Sequence, residues 1–299
     1  MNIGIVGLGK MGYQLALNMR DNHIDIVAYN RSHGKVDKIQ KEGVNVAYTL
    51  EELTAALKPP RVIWLMVPAG DAVDDVITEL MPLLDQDDLI VDGGNSNYKN
   101  TLSRGERLKT HNIRFMDVGT SGGTTGARNG ACMMIGSSIK DFVLLEAVFK
   151  AICVDDGYSH VGPVGSGHYV KMVHNGVEYA MMQAIGEGFE ILEAGPYDVD
   201  HEAVAKVWNN GSIIESFLMG LTQNAFSKDA KLEDIIGKVD SSGEGLWTLQ
   251  EALDLNVPVP AIADSIFARY RSHQDNTFSN RLLAALRNEF GGHAVEKSK

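Results

Sequence analysis

The apolar positions follow two regimes along the chain. In the first, short apolar runs of strand length alternate with helical stretches. Residues 2–6, NIGIV, read as a buried strand, and IDIVAY, after the first helical stretch, as another. RVIWLMV at 61–67, DLIVDGG at 88–94 and RFMDVGT at 114–120 repeat the pattern. Such alternation predicts a doubly wound, mostly parallel sheet flanked by helices. From Gly165 onward the strand-like alternation stops. Helical patterns then cover 168–194, 200–209, 212–224, 247–255, 260–271 and 280–290. The expected architecture is an α/β domain over 1–164 followed by an all-α domain over 165–299.

The longest helical segment has an unusual face. HYVKMVHNGVEYAMM at 168–182 carries Lys171, His174, Asn175 and Glu178. At 3.6 residues per turn these positions fall on one stripe about 100° wide. Val170, Met172, Val173, Val177, Ala180 and Met181 take the other sides. A helix apolar around most of its circumference is normally buried. The stripe is therefore expected to line a cleft, one between the two domains, where ligands commonly bind. The plainer alternative is a solvated stripe with an internal Lys171–Glu178 or His174–Glu178 contact. Ser166, after a glycine turn, is expected to cap the helix start.

Gly7-Leu8-Gly9-Lys10-Met11-Gly12 stands between the first strand and the helical LALNMR. In that context G-x-G-x-x-G marks a Rossmann dinucleotide site: Gly7 for the tight turn, Gly9 for approach to the pyrophosphate, Gly12 for close helix packing. An NAD site expects an acidic residue at the end of the second strand. Here the sequence is Asn30-Arg31-Ser32. Arg31 can stack on adenine and pair with a 2′-phosphate, and Ser32 can donate to it, so NADP is favoured and NAD is the alternative. Ligands of wound sheets bind beyond the strand C-termini. That rule brings Val67-Pro68-Ala69, Asn95 and the segment Gly119 to Gly123 to the site. Asn95 and Ser121 have a plainer role as turn residues, and Gly122-Gly123 would allow close backbone approach.

The chain has 299 residues, enough for two domains, and 44% hydrophobic residues. A net charge of −12 argues against nonspecific binding to nucleic acid or anionic membranes. Two cysteines, Cys132 and Cys153, supply neither a disulfide framework nor a metal-ligand cluster. The strand-like start leaves no room for a signal peptide, and no apolar run spans a bilayer. A cytoplasmic protein without a metal is expected.

Taken in order, GLGKMG, NRS, LMVPAG, DGGNS, TSGG, GHYVKMVHNGVEY, FARY and RNEFGGH resemble the motifs of the 6-phosphogluconate dehydrogenases, over nearly the whole chain. GHYVKMVHNGVEY is the most specific; related β-hydroxyacid dehydrogenases share the glycine motifs and the lysine but usually not H-N-G-x-E-Y. The length is similar to the family's short form. The resemblance implies oxidative decarboxylation of 6-phosphogluconate to ribulose 5-phosphate and carbon dioxide. It implies Lys171 as general base and Glu178 as general acid. Asn95, Ser121, Gly122, Gly123, His174, Asn175 and Tyr179 would hold the sugar acid, and Arg269 its phosphate. Arg287 and His293 match residues that reach a neighbouring subunit's site, which implies a homodimer or higher homo-oligomer with shared sites. One segment departs: where long members read K-G-T-G-K-W-T, residues 242–248 are SGEGLWT, so Ser242, Glu244 and Leu246 replace Lys, Thr and Lys. The departure bears on how the substrate phosphate is held.

The implied chemistry suits the stripe. A lysine acts as base only when neutral, so its pKa must fall through desolvation or nearby cations. Oxidation at C3 gives a 3-keto acid that loses carbon dioxide, and Glu178 would protonate C1 of the enediol. The rivals are a β-hydroxyacid dehydrogenase for a smaller acid, a non-catalytic NADP-binding sensor, and a structural subunit.

Overall fold

The computed structural model describes residues 2–297. The chain divides into two compact units, Met1–His174 and Asn175–Lys299. The first contains an eight-stranded sheet: β1 (Asn2–Val6), β2 (Asp25–Tyr29), β3 (Asn45–Ala47), β4 (Val62–Leu65), β5 (Leu89–Asp92), β6 (Arg114–Ser121), β7 (Ala131–Gly136) and β8 (Cys153–Gly162). The spatial order is β3-β2-β1-β4-β5-β6-β7-β8. Every neighbouring pair is parallel except β6 and β7. The order reverses at β1, between β2 and β4, which creates the crevice in which such sheets bind nucleotides.

Seven helices accompany these strands: α1 (Lys10–Asp21), α2 (His33–Lys41), α3 (Leu50–Ala56), α4 (Asp71–Leu80), α5 (Tyr98–Lys109), α6 (Gly123–Asn129) and α7 (Ile139–Ile152). The apolar runs are buried on both faces, as parallel strands require. In β4, Val62 and Trp64 join one core cluster with Ile5, Leu15 and Phe149. Ile63 and Leu65 join another with Leu53, Ile77 and Phe115. This period of two is why four consecutive apolar residues are needed. Strands β3, β7 and β8 add to those expected. Most of β8 is exposed or half-buried, so it carries no continuous apolar run.

The helices beyond are α8 (Ser166–Ala194), α9 (His201–Trp208), α10 (Phe217–Phe226), α11 (Glu244–Asp254), α12 (Pro260–Ser272) and α13 (Phe278–Gly291). Residues 212–216, expected to be helical, form a turn instead. Gly211 sits at φ +82°, and Ser216 caps α10 by accepting from Met219 N. The second unit has a small core cluster of Phe189, Ala205, Met219 and Phe226, and Tyr179, Ala252 and Ile266 are buried besides. Among the described residues no helix is long and apolar enough to cross a membrane.

Candidate active site

The glycine loop is built as its spacing requires. Gly7 has φ +106°, and a Cβ there would lie 2.5 Å from Met66 O. A Cβ on Gly12 would lie 2.1 Å from Gly7 O, so α1 can pack this closely only without a side chain. The space around Gly9 is open. Gly9 caps α1 without a side-chain bond, and the first turn holds no acidic residue. The helix start, with Lys10 and Met11, therefore presents N–H groups to an anion without competition. Leu8 N donates to Asn30 Oδ1 at 2.8 Å, so Asn30 holds the loop in shape. Arg31 and Ser32 are exposed just beyond β2. Ser32 caps α2 without using its hydroxyl. Val67, Pro68 and Ala69 follow β4 on the same edge of the parallel sheet.

Asn95 follows β5 and forms a reciprocal pair with Thr120. Its Nδ2 donates to Thr120 O at 3.3 Å, and Thr120 N donates to its Oδ1 at 3.2 Å. The pair fastens the loop to the end of β6, where Ser121 and Gly122 follow. Gly122 is left-handed at φ +102° and starts α6, and Gly123 stands in open space.

The first turns of α8 lie on β6 and β7. A Cβ on Gly167 would meet Met134 O at 2.6 Å and Asp117 O at 2.7 Å. A Cβ on Gly119 would lie 2.4 Å from Lys171 Cβ. These glycines turn the lysine side of the helix inward. Lys171 is 4% exposed, whereas Val170, Val173, Val177 and Met181 are 37–48% exposed. Met172 is buried as expected, but these valines and Met181 face outward, because backbone without side chains accepts the polar side. Lys171 Nζ lies 3.5 Å from His174 Nδ1, and His174 Nε2 lies 3.3 Å from Ser121 Oγ. A neutral imidazole can receive one proton and offer another along this line.

Ser166 does not cap α8. Its buried Oγ has no partner among the described residues. Asp117 does the work from β6: Gly165 N donates to its Oδ1 at 2.6 Å and His168 N to its Oδ2 at 2.8 Å. Burial pushes the Asp117 carboxyl above its ordinary value, opposed by His168 and by these two backbone donors. A second buried network supports the strand-end loops. Arg104, on α5, donates to both Asp74 oxygens, to Ser96 Oγ and to Gly70 O. Ser96 donates in turn to Asp92 at 2.8 Å. Sequence reasoning named neither Asp117 nor Arg104. The signal for Asp117 was an acid inside an apolar strand, where a charge persists only with partners.

In the second unit, α8 continues over α11. A Cβ on Gly176 would lie 2.6 Å from Thr248 Cγ2, and one on Gly245 would lie 2.5 Å from Tyr179 Cε2. Asn175 and Tyr179 are buried, and Glu178 is half-buried. The Arg269 guanidinium stacks 3.7 Å from the centre of the Tyr179 ring, and its Nη1 donates to Asp240 O at 2.7 Å. The Tyr179 hydroxyl meets Ser242, whose own hydroxyl donates to Glu244. Arg287 is exposed on α13, and His293 packs against Phe290 just after it. Among the described residues neither hydrogen-bonds to Tyr179 or Arg269. Further along α8, a cavity of about 480 Å³ is lined by Met182, Ile185, Phe189 and Phe226 and by none of the expected site residues. Among the described residues there is no cluster able to hold a metal ion.

Comparison with known proteins gives a consistent result. Residues 2–162 match the NAD binding domain of 6-phosphogluconate dehydrogenase, and residues 167–299 match its C-terminal domain. The chain is 49% identical to YqeC of Bacillus subtilis (strain 168) over 297 residues, covering 99% of this chain and 100% of that protein. It is 44% identical to the NAD(+)-dependent, decarboxylating 6-phosphogluconate dehydrogenase of Haloferax volcanii, covering 99% of each. Among solved structures, Plasmodium falciparum 6-phosphogluconate dehydrogenase superposes with a TM-score of 0.84 at 30% identity, over 100% of this chain and 67% of that one. The glycine crevice, the lysine helix and these full-length matches together place the chain in the 6-phosphogluconate dehydrogenase family, the NAD(P)-dependent decarboxylating dehydrogenases.

Proposed function

We propose that this chain oxidises 6-phosphogluconate at C3 with Lys171 as base, and that after carbon dioxide leaves Glu178 protonates C1 of the enediol, the former C2 of the substrate. The observation that carries the reading is the buried Lys171, 3.5 Å from His174, itself 3.3 Å from Ser121 at the end of β6. Parallel β6 ends on the same sheet edge as the glycine loop, the edge at which such sheets bind ligands. A bound nicotinamide would accept the hydride there. Gly7 to Gly12 and the start of α1 would hold its pyrophosphate; Val67, Pro68, Ala69 and Asn95 would flank it. Lys171 takes the hydroxyl proton, and its exclusion from water works against the ammonium form. Once protonated, it polarises the ketone and stabilises the enolate as carbon dioxide departs. Glu178 follows two turns along the same helix, so base and acid keep a fixed separation. Asn95, Ser121, Gly122, Gly123, His174, Asn175 and Tyr179 contact the sugar acid, and Arg269 its phosphate.

NADP is the preferred cofactor in this reading, because the acidic residue expected after β2 of an NAD site is missing and the exposed Arg31 and Ser32 could bind a 2′-phosphate instead. The enzyme works in the cytoplasm as a homodimer or higher homo-oligomer. Arg287 and His293 serve the neighbouring subunit's site. In support, α13 has no buried residue and displays Phe278, Leu282, Leu283, Leu286 and Phe290. The test is cofactor reduction by purified protein with 6-phosphogluconate, gluconate or 3-hydroxyisobutyrate, with NADP and NAD in parallel. Fastest reduction of NADP with 6-phosphogluconate is expected. Preference for 3-hydroxyisobutyrate would overturn the substrate, and preference for NAD would overturn the role of Arg31. For the shared site, mixing Lys171→Met with Arg287→Ala under subunit exchange should restore activity that neither variant has alone. Absence of recovery after demonstrated exchange would refute it.

A further inference from the structure

The direction of the hydrogen bonds around Tyr179 fixes where its proton goes. Ser242 Oγ lies 2.5 Å from Glu244 Oε2. An ionised carboxylate only accepts, and a serine hydroxyl has one proton. Ser242 therefore donates to Glu244 and has only lone pairs left. The 3.1 Å contact between Tyr179 Oη and Ser242 Oγ then has the tyrosine as donor. Ser242 N also donates to Tyr179 Oη at 3.2 Å. The phenolic proton is committed to Ser242, and the oxygen already accepts once. Glu244 is 8% exposed at the first position of α11, so its carboxylate is held in place by the helix. Arg269 is situated differently. Its guanidinium covers the same ring and spends one donor on Asp240 O and one on Met182 Sδ. A guanidinium has five N–H donors, so several are left for an anion.

We propose that Ser242 and Glu244 are a specificity determinant: by committing the Tyr179 proton to Ser242, they leave the phosphate of the substrate to Arg269 and withhold the tyrosine hydroxyl from it. The proposal rests on the assignment of Arg269 to the phosphate end. Its consequence is that affinity for the phosphorylated acid is held below what the same residues could deliver, while a non-phosphorylated sugar acid is unaffected.

Ser242→Ala is the direct test. It keeps the backbone N–H that orients Tyr179 and removes the acceptor of its proton. A freed phenol can make a charge-assisted bond to phosphate, so KM for 6-phosphogluconate should fall roughly tenfold. The kcat should hardly change. Gluconate, measured as substrate or as inhibitor, should not bind more tightly. The improvement should vanish in Ser242→Ala/Tyr179→Phe, and Glu244→Gln should reproduce part of it, because an amide can donate to Ser242 and release its proton. An unchanged or raised KM in Ser242→Ala overturns the proposal, and so does an improvement that survives loss of the Tyr179 hydroxyl. Arg269→Ala separates the two levels. If it raises KM for 6-phosphogluconate while Ser242→Ala does nothing, the determinant alone fails; if it leaves that KM unchanged, the phosphate assignment fails and the proposal with it.

Discussion

At Lys171, helix α8 lies against backbone that leaves no room for a methyl group, whereas at Tyr179 it meets a guanidinium, a glycine and a serine hydroxyl. The first end is fixed by Gly119, Gly167 and the buried Asp117, all in the sheet unit or at its junction with the helix. The second combines the close approach of Gly245 to the buried Tyr179 ring with a stacked arginine and Ser242, an exposed residue. Close packing transmits strain, and exposed polar contacts do not. The base is thus held through backbone contacts, while at the recognition end Arg269 and Ser242 can be altered side chain by side chain. The same difference separates the units. The sheet unit buries strands on both faces, and the second unit buries few apolar residues and none on α13.

Substitution at Gly119 should break this contrast most severely. Gly119→Ala forces Lys171 or the Gly167 backbone to move, at a cost of about 1–3 kcal/mol in stability. A shift of about 1 Å at the base should lower kcat by about 100-fold. Equilibrium unfolding and steady-state rates check both, and a variant of normal stability and rate would refute the close fit.

Asp117→Asn probes the same end through its cap. The amide turns an N–H toward a backbone N–H, leaving a buried donor unpaired at a cost of about 1–3 kcal/mol. Burial raises the Asp117 pKa above its unfolded value, so the folded chain binds this proton more readily than the unfolded one. Its contribution is complete below the unfolded carboxylate range and declines as pH rises through the folded pKa. The variant lacks that decline. Its stability deficit against wild type should therefore narrow as pH rises from the unfolded carboxylate range through the folded pKa. Denaturation curves at several pH values test this, and a deficit that widens would contradict the assigned direction.

The recognition end should respond in KM. Arg269→Ala loses a charged donor to phosphate, worth about 1.5–3 kcal/mol, so KM for 6-phosphogluconate should rise about tenfold or more with a smaller change in kcat. A fall in kcat alone would move Arg269 from binding to positioning. Smallest of all, Arg31→Ala should weaken NADP by about tenfold while sparing NAD, the effect of one charged hydrogen bond. Equal losses for both cofactors would remove Arg31 from the 2′-phosphate.

How much of this was legible in the sequence follows the same division. The glycine loop was readable because each glycine answers a local demand of backbone conformation or helix approach. Lys171, His174 and Glu178 were readable because a helix converts spacing into a face. The orientation of that face was not, since Val170, Val173 and Val177 suggested burial of the wrong sides. What turned the helix was Gly119, 52 positions away in the chain from Lys171, and such a long-range contact leaves no periodicity. Asp117 and Arg104 escaped notice for the same reason: their partners lie on other elements. The segment 242–248 was visible as a departure, but the path of its proton depends on which side chains lie within hydrogen-bond reach.

The central claim is that one helix carries separate groups for oxidation and for protonation. Single-turnover mixing of Lys171→Met and Glu178→Gln with 6-phosphogluconate and NADP tests it most directly, with reduced cofactor and decarboxylated product followed separately. Glu178→Gln should still reduce cofactor in the first turnover while release of the protonated product is severely slowed. Lys171→Met should bind cofactor normally and reduce none. Near-normal turnover by either variant, or first-turnover reduction lost equally in both, would contradict the division of labour along α8.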